Sequence, residues 1–313
     1  MTELESKWKP SPEIKTHRGE TIPPNLTFFT PPPQDIVNLR SASSTIQNGK
    51  IIQQTKFINK LLTGIRVGLF GGLCFAAILR TVLGNSSIAL ISGLVVAIGL
   101  SVLCTFLNLP ASCSYVGDSG IANYILKKKL NPNKGIGLFL FHQAEELKFE
   151  KIQNFPNGVY TMTSYSFEWK KANGETVFNI NGEHRSLEDN PPPLDPYYFA
   201  LAAEKAWSLF KFELIHEELK QNGKVIFNVG NNDAIVIGQG YVELIKKGKP
   251  SRLDGNEIKQ ISLSQGIIQI IPKKVKSSGF LGFGSDGIWR IPYNTIANAR
   301  IFILIFDMLI NQK

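Results

Sequence analysis

Cysteine and histidine are scarce in this chain, three and four residues out of 313. Three cysteines without a C-x-x-C pair cannot build a disulfide framework or a zinc ribbon. Cys74 and Cys104 lie inside apolar stretches and Cys113 just beyond them, so all three read as small apolar fillers. His216-Glu217-Glu218-Leu219-Lys220 begins like the H-E-x-x-H of a metalloprotease, but Lys220 stands where the second imidazole must be. His142 falls near Glu145 and Glu146, which a surface polar cluster explains without a metal. There is no G-x-S-x-G elbow and no Cys-His pattern to activate a nucleophile. Gly282, Gly284 and Gly287 spell G-x-G-x-x-G, yet they lead into Ile288-Trp289-Arg290, a strand pattern. A dinucleotide fingerprint opens a helix, whose N-terminus meets the phosphates. The sequence therefore offers no catalytic residue, no metal ligand set and no cofactor fingerprint, and it reads as non-enzymatic.

Charge is also unevenly missing. Between Leu61 and Leu109 the chain reads as two apolar stretches, about 61–83 and 87–109, separated by Gly84-Asn85-Ser86-Ser87. The second carries no charge; the first carries Arg66 and Arg80, each near an end, where a long side chain snorkels to the headgroups. A bilayer core needs about 20 apolar helical residues, so the spacing predicts a two-helix transmembrane hairpin within 56–110. Small residues recur every fourth position, as Gly64, Gly68 and Gly72 in the first stretch and Ala89, Gly93, Ala97 and Ser101 in the second. That spacing puts a smooth ridge on each helix and allows close packing in lipid. Lys50, Lys56 and Lys60 precede the pair, and Lys127, Lys128, Lys129 and Lys134 follow it, while the loop has no lysine or arginine. The positive-inside rule then places both termini in the cytoplasm, at the plasma membrane or an internal bacterial membrane. The pair begins some sixty residues in with no cleavable pattern upstream, which argues against a signal peptide.

The formal net charge is +9. Beside a membrane anchor we read it as attraction to an anionic leaflet, where each nearby basic residue is worth about 1 kcal/mol, and not as nucleic-acid binding. Residues 1–55 contain Pro10, Pro12, Pro23, Pro24 and Pro31-Pro32-Pro33 with few apolar clusters, which predicts a disordered tail. Residues 111–134 read as a basic linker.

From about 135 the pattern turns to short strands. Gly158–Lys170 alternates and meets Glu175–Ile180 through Asn173-Gly174, a good hairpin signal. Asp195 suits an N-cap and Pro196 a first helical residue, with Phe199, Ala203, Ala206, Phe210 and Leu214 on one stripe and Gly223 as the stop. This predicts a helix over about 196–222. Six strands then run from Lys224 to Ile291, and a helix closes the chain over about 297–310. The fold class expected is a membrane α-helical hairpin plus a cytoplasmic α+β region of β-barrel or sandwich units, each capped by a helix: one over 135–223 and one over 224–313.

Ile235–Lys274, followed by Trp289–Ile310, resembles a bacterial pleckstrin-homology-like (PH-like) domain. The likeness rests on a strand, a short basic turn, the strand start Asn256-Glu257-Ile258, a hairpin, then Ile291-Pro292-Tyr293 and a capping helix. It covers 224–313 well and 135–222 weakly, as a degenerate copy of the same fold would. The chain is also similar to uncharacterised bacterial membrane proteins that pair such a module with transmembrane helices. The resemblance implies a binding or scaffold module. The alternative is an accessory or assembly subunit whose partner, another membrane protein, supplies the chemistry. One loop carries a candidate contact with anionic lipid headgroups. Lys273, Lys274 and Lys276 lie on its entry side, Arg290 on its exit side, and Phe280, Leu281 and Phe283 between them. Cations flanking an apolar tip are what a peripheral membrane contact requires.

Overall fold

A computed structural model describes residues 6–52, 57–84, 86–106, 111–126, 128–230, 232–274 and 287–311. The chain divides into two compact units, one built around Thr45–Ala111 and the other from Glu5–Ser44 together with Ser112–Lys313.

The first unit opens with a small ribbon pairing Ile46–Gln47 with Lys50–Ile51. Its turn residues Asn48 and Gly49 both have positive φ, 49° and 72°, as a tight hairpin of this type demands. Two helices follow, α1 (Phe57–Leu83) and α2 (Ser86–Phe106), with Gly84 ending α1 at φ 66°. Both are long and apolar enough to cross a membrane, over Gly64–Val82 and Ser86–Leu103. A core helix of a soluble protein would bury its large side chains. Here Phe70, Leu73 and Val82 are 74%, 68% and 72% exposed, while Gly64, Gly68, Gly72, Gly93 and Ala97 are buried. The small residues are where the two backbones meet. A Cβ added to Gly68 would lie 2.0 Å from the Ser101 Oγ and 2.3 Å from the Ala97 carbonyl. One on Gly72 would lie 2.4 Å from the Gly93 carbonyl, so α1 and α2 approach as closely as glycine allows. Gly99, by contrast, has nothing within 4 Å and faces away.

The second unit repeats one plan twice. Strands β1 (Ser41–Ser44), β2 (Ser112–Val116), β3 (Gly120–Ile125) and β4 (Gly137–Leu140) form a four-stranded antiparallel meander. A three-stranded meander follows, β5 (Glu146–Asn154), β6 (Met162–Lys170) and β7 (Thr176–His184), and then helix α3 (Pro196–Asn222). The order recurs in β8 (Lys224–Val229), β9 (Asp233–Gly238), β10 (Tyr241–Lys246) and β11 (Lys249–Asp254). The second three-stranded meander is β12 (Ile258–Ser264), β13 (Ile267–Pro272) and β14 (Trp289–Pro292), and α4 (Ala299–Asn311) ends the repeat. All four sheets are open, and none closes into a barrel among the described residues.

Each repeat has its own core. In the first, alternate residues of β6, Tyr165, Phe167 and Trp169, point inward and meet Phe139, Phe178 and the N-terminal half of α3 through Phe199, Ala203 and Trp207. In the second, Phe227, Ile235, Ile268 and Ile270 pack under Ile301, Phe302, Ile305 and Phe306 of α4. Helix α3 serves both cores, because Ile215 near its far end belongs to the second. Its boundaries are local: the Asp195 carboxylate accepts from the Tyr197 amide at 2.9 Å, and Gly223 stops it at φ 68°.

Three expectations about domain limits are corrected. The disordered tail expected over 1–55 is not what its described residues 6–52 form, because 6–40 wrap the outer face of the first sheet. Ile22, Phe28 and Ile36 bury there against Cys113, Tyr115 and Ala122, and the Trp8 and Phe28 rings meet edge-on at 5.0 Å. The prolines set turns between isolated apolar residues, so each buries singly and no periodic pattern exists to be read. Residues 111–134 are not a linker, since β2 and β3 lie within them. Their serines and glycine mask an alternation in which Cys113 and Tyr115 face the arm while Val116 and Ile121 face the first core. The first repeat consequently spans 41–44 and 112–222, not 135–223. The helical hairpin is inserted between β1 and β2, which pair with Ser44 opposite Cys113.

Candidate functional site: a basic groove beside helix α3

A wide concavity of the second unit, about 860 Å³, lies between the N-terminal arm, the β1–β2 edge and the outward face of α3. A turn builds its outer wall. The Thr16 amide donates to the Glu20 carbonyl at 2.8 Å and the Gly19 amide to the Thr16 carbonyl at 2.8 Å, with Gly19 at φ 85°. Beside the turn Lys15 runs along β1: its amide donates to the Arg40 carbonyl at 3.3 Å, and its carbonyl accepts from Ala42 at 2.9 Å. The free edge of β1 is thereby covered, leaving side chains to line the groove.

His17 is the pin of that wall. Its Nδ1 lies 2.9 Å from the Ser41 hydroxyl and its Nε2 2.9 Å from the Ser114 hydroxyl, so the arm is tied to both β1 and β2. The ring also rests 5.2 Å from that of Phe199 on α3. Desolvation lowers its pKa to about 3, and the imidazole is neutral at physiological pH, donating to one hydroxyl and accepting from the other.

Five cations and three carboxylates line the groove. Arg40 pairs with Asp118, which also accepts from Asn38 Nδ2 at 3.1 Å. Arg300 of α4 pairs with Glu204 of α3 at 2.8 Å. Burial pushes the Glu204 carboxyl up, and Arg300 opposes that shift. Arg18 lies over the Tyr198 ring at 4.9 Å and 3.5 Å from Glu20, neither of which lines the groove. Lys15 on the arm and Lys205 on α3 are exposed and have no ion-pair partner among the described residues; Glu13 is the remaining carboxylate. The lining is also apolar in part, through Leu39, Leu201, Ala202 and Leu209. The arrangement sets two cations without ion-pair partners beside apolar side chains. Among the described residues no cluster of histidine, cysteine, aspartate and glutamate is placed to hold a metal.

None of the residues proposed from sequence for lipid contact lines this groove. Lys273 and Lys274 are exposed just after β13, with the Lys273 amide donating to the Glu257 carbonyl at 2.7 Å. Arg290 is exposed on β14, opposite Gln269. Lys276, Phe280, Leu281 and Phe283 lie outside the described residues. Gly64, Gly68, Gly72, Gly93, Ala97 and Ser101 belong to the helical hairpin of the other unit. Sequence reasoning missed the groove because its walls come from three distant stretches. The one legible signal was the outward pair Lys205 and Leu209, four residues apart on α3. In comparisons with known proteins, no family model matches the chain and no curated protein matches it.

Proposed function

We propose that this chain is a non-enzymatic integral membrane protein whose cytoplasmic part is a tandem of PH-like units acting as a binding or scaffold module. The observation that carries the reading is the repeat itself: four strands, three strands and a helix, in that order, twice. Both copies run through the element sequence that the Ile235–Ile310 resemblance implies, and the apolar hairpin enters the first copy as an insertion between two paired strands. Helices long and apolar enough to span a bilayer, flanked by lysines on the strand side and by none in the loop, support an anchor with both termini cytoplasmic. In intact cells Ser86→Cys should react with an impermeant thiol reagent and Glu175→Cys should not; labelling of Glu175→Cys would overturn the orientation.

Anionic lipid is the partner this reading favours, with Lys273, Lys274 and Lys276 supplying the attraction and Phe280, Leu281 and Phe283 the apolar tip. The full chain in neutral phosphatidylcholine nanodiscs should co-float with phosphatidylserine vesicles and not with phosphatidylcholine vesicles. Co-flotation should weaken as salt rises, because exposed charges are screened beyond about 10 Å at 0.1 M. Replacing the three lysines by alanine should remove most of the difference between the two vesicle types. Equal flotation with both vesicles, or none with either, would sink the lipid assignment.

A further inference from the structure

We propose that the groove beside α3 is a ligand site for a single-chain anionic amphiphile, an acyl or alkyl body ending in a phosphate or carboxylate. The proposal rests on the reading of the tandem units as a binding module and names a second, separate site within them. Three observations carry it.

Size is the first. A volume of about 860 Å³ falls within the roughly 300–1,000 Å³ of small-molecule sites. A protein partner would instead require a surface burying about 800 Å² on each side.

Charge is the second. Two of the three lining carboxylates are already matched, Asp118 by Arg40 and Glu204 by Arg300. Lys15 and Lys205 stand unmatched on opposite walls, one on the arm and one on the helix. Two ammonium groups without an ion-pair partner, both lining one groove, favour an anionic head.

The third is the apolar strip. Lys205 and Leu209 are one helical turn apart on one α3 face, and Leu209 is 45% exposed, with the half-buried Leu39 and Leu201 also lining the groove. A head held at Lys205 would lay its chain along those side chains, burying surface worth about 25 cal/mol per Å².

Octyl phosphate is the probe, with octanol and inorganic phosphate as its two halves, titrated calorimetrically into the full chain in phosphatidylcholine nanodiscs and corrected by empty discs. Octyl phosphate should bind saturably at one site per chain, and each half at least about tenfold more weakly. The double variant Lys15→Glu with Lys205→Glu should lose at least about tenfold in affinity for octyl phosphate. Both lysines are exposed and unpaired, so its thermal unfolding should match the parent's. Leu209→Asn should weaken octyl phosphate and leave inorganic phosphate unchanged, because it removes the apolar contact without adding charge. Equal binding of inorganic phosphate would reduce the groove to an anion site, equal binding of octanol would remove the role of the lysines, and no saturable binding would overturn the assignment outright. Vesicle flotation separates this result from the parent reading. The groove variants should lose octyl phosphate yet still float with anionic vesicles, whereas an unsubstituted chain that floats but binds no octyl phosphate sinks the groove alone.

Discussion

Asn298→Ala is expected to destabilise the second unit by about 4 kcal/mol. Asn298 sits immediately before α4 and ties three elements together. Its amide donates to the Leu147 carbonyl at 2.8 Å, and its Oδ1 accepts from the Leu147 amide at 3.0 Å and from the Trp207 indole at 2.9 Å. Its Nδ2 donates to the Glu145 carbonyl at 3.1 Å, while its own carbonyl receives the Phe302 amide at 3.0 Å and so starts the helix. Alanine would leave the Leu147 amide and the Trp207 indole buried without acceptors, at about 1–3 kcal/mol each. It would also have to adopt φ 55°, a left-handed conformation that asparagine tolerates and alanine resists by about 1 kcal/mol. Asn298→Gly relieves the backbone strain but not the orphaned donors, so it should recover only about a quarter of the loss. Denaturant unfolding of the full chain, followed by tryptophan fluorescence, measures both. A loss below about 1 kcal/mol for the alanine variant would show that the two repeats do not depend on this junction.

A larger effect is expected from where the chain is cut. A fragment of residues 135–313 keeps β4 to β14 and both following helices, and it should nevertheless fail to fold cooperatively. It lacks β1, β2 and β3, which supply Val116 and Ile121 to the first core and pair the edge of β4. It also lacks the arm that covers the outer face with Phe28. Each buried side chain of this size contributes about 1.5–3 kcal/mol, and several together exceed the 5–15 kcal/mol that a typical domain has in reserve. The opposite outcome is expected if only the hairpin unit is excised. Because Ser44 lies opposite Cys113 in the β1–β2 ladder, joining them through Asn-Gly should close an ordinary two-residue hairpin. That protein, residues 6–44 continued by 113–313, should be soluble and unfold in one transition. Circular dichroism and analytical ultracentrifugation compare the two. A well-folded 135–313 fragment would mean that the first repeat does not need its first three strands.

What the sequence determined by itself is what short-range physics controls. The apolar runs of α1 and α2, with glycine every fourth residue, specify two long helices. Asp195, Pro196 and Gly223 mark the limits of α3, because capping involves only the first and last turns. Asn173-Gly174 between alternating runs marks the β6–β7 hairpin for the same reason. Only the tertiary structure decided that Ser41–Ser44 is the first strand of a sheet whose next strand lies beyond the apolar helical hairpin. A four-residue stretch of serine and alanine has no pattern of its own, and its pairing is a long-range contact. The arm over 6–40 was illegible likewise, since its apolar residues bury one at a time between prolines. Asn298 looked like any helix-flanking asparagine until folding brought Leu147 and Trp207 to it. The groove is the extreme case: Lys15, Arg40, Lys205 and Arg300 line one groove because two helices and an arm converge on one sheet edge, and no local periodicity records that convergence.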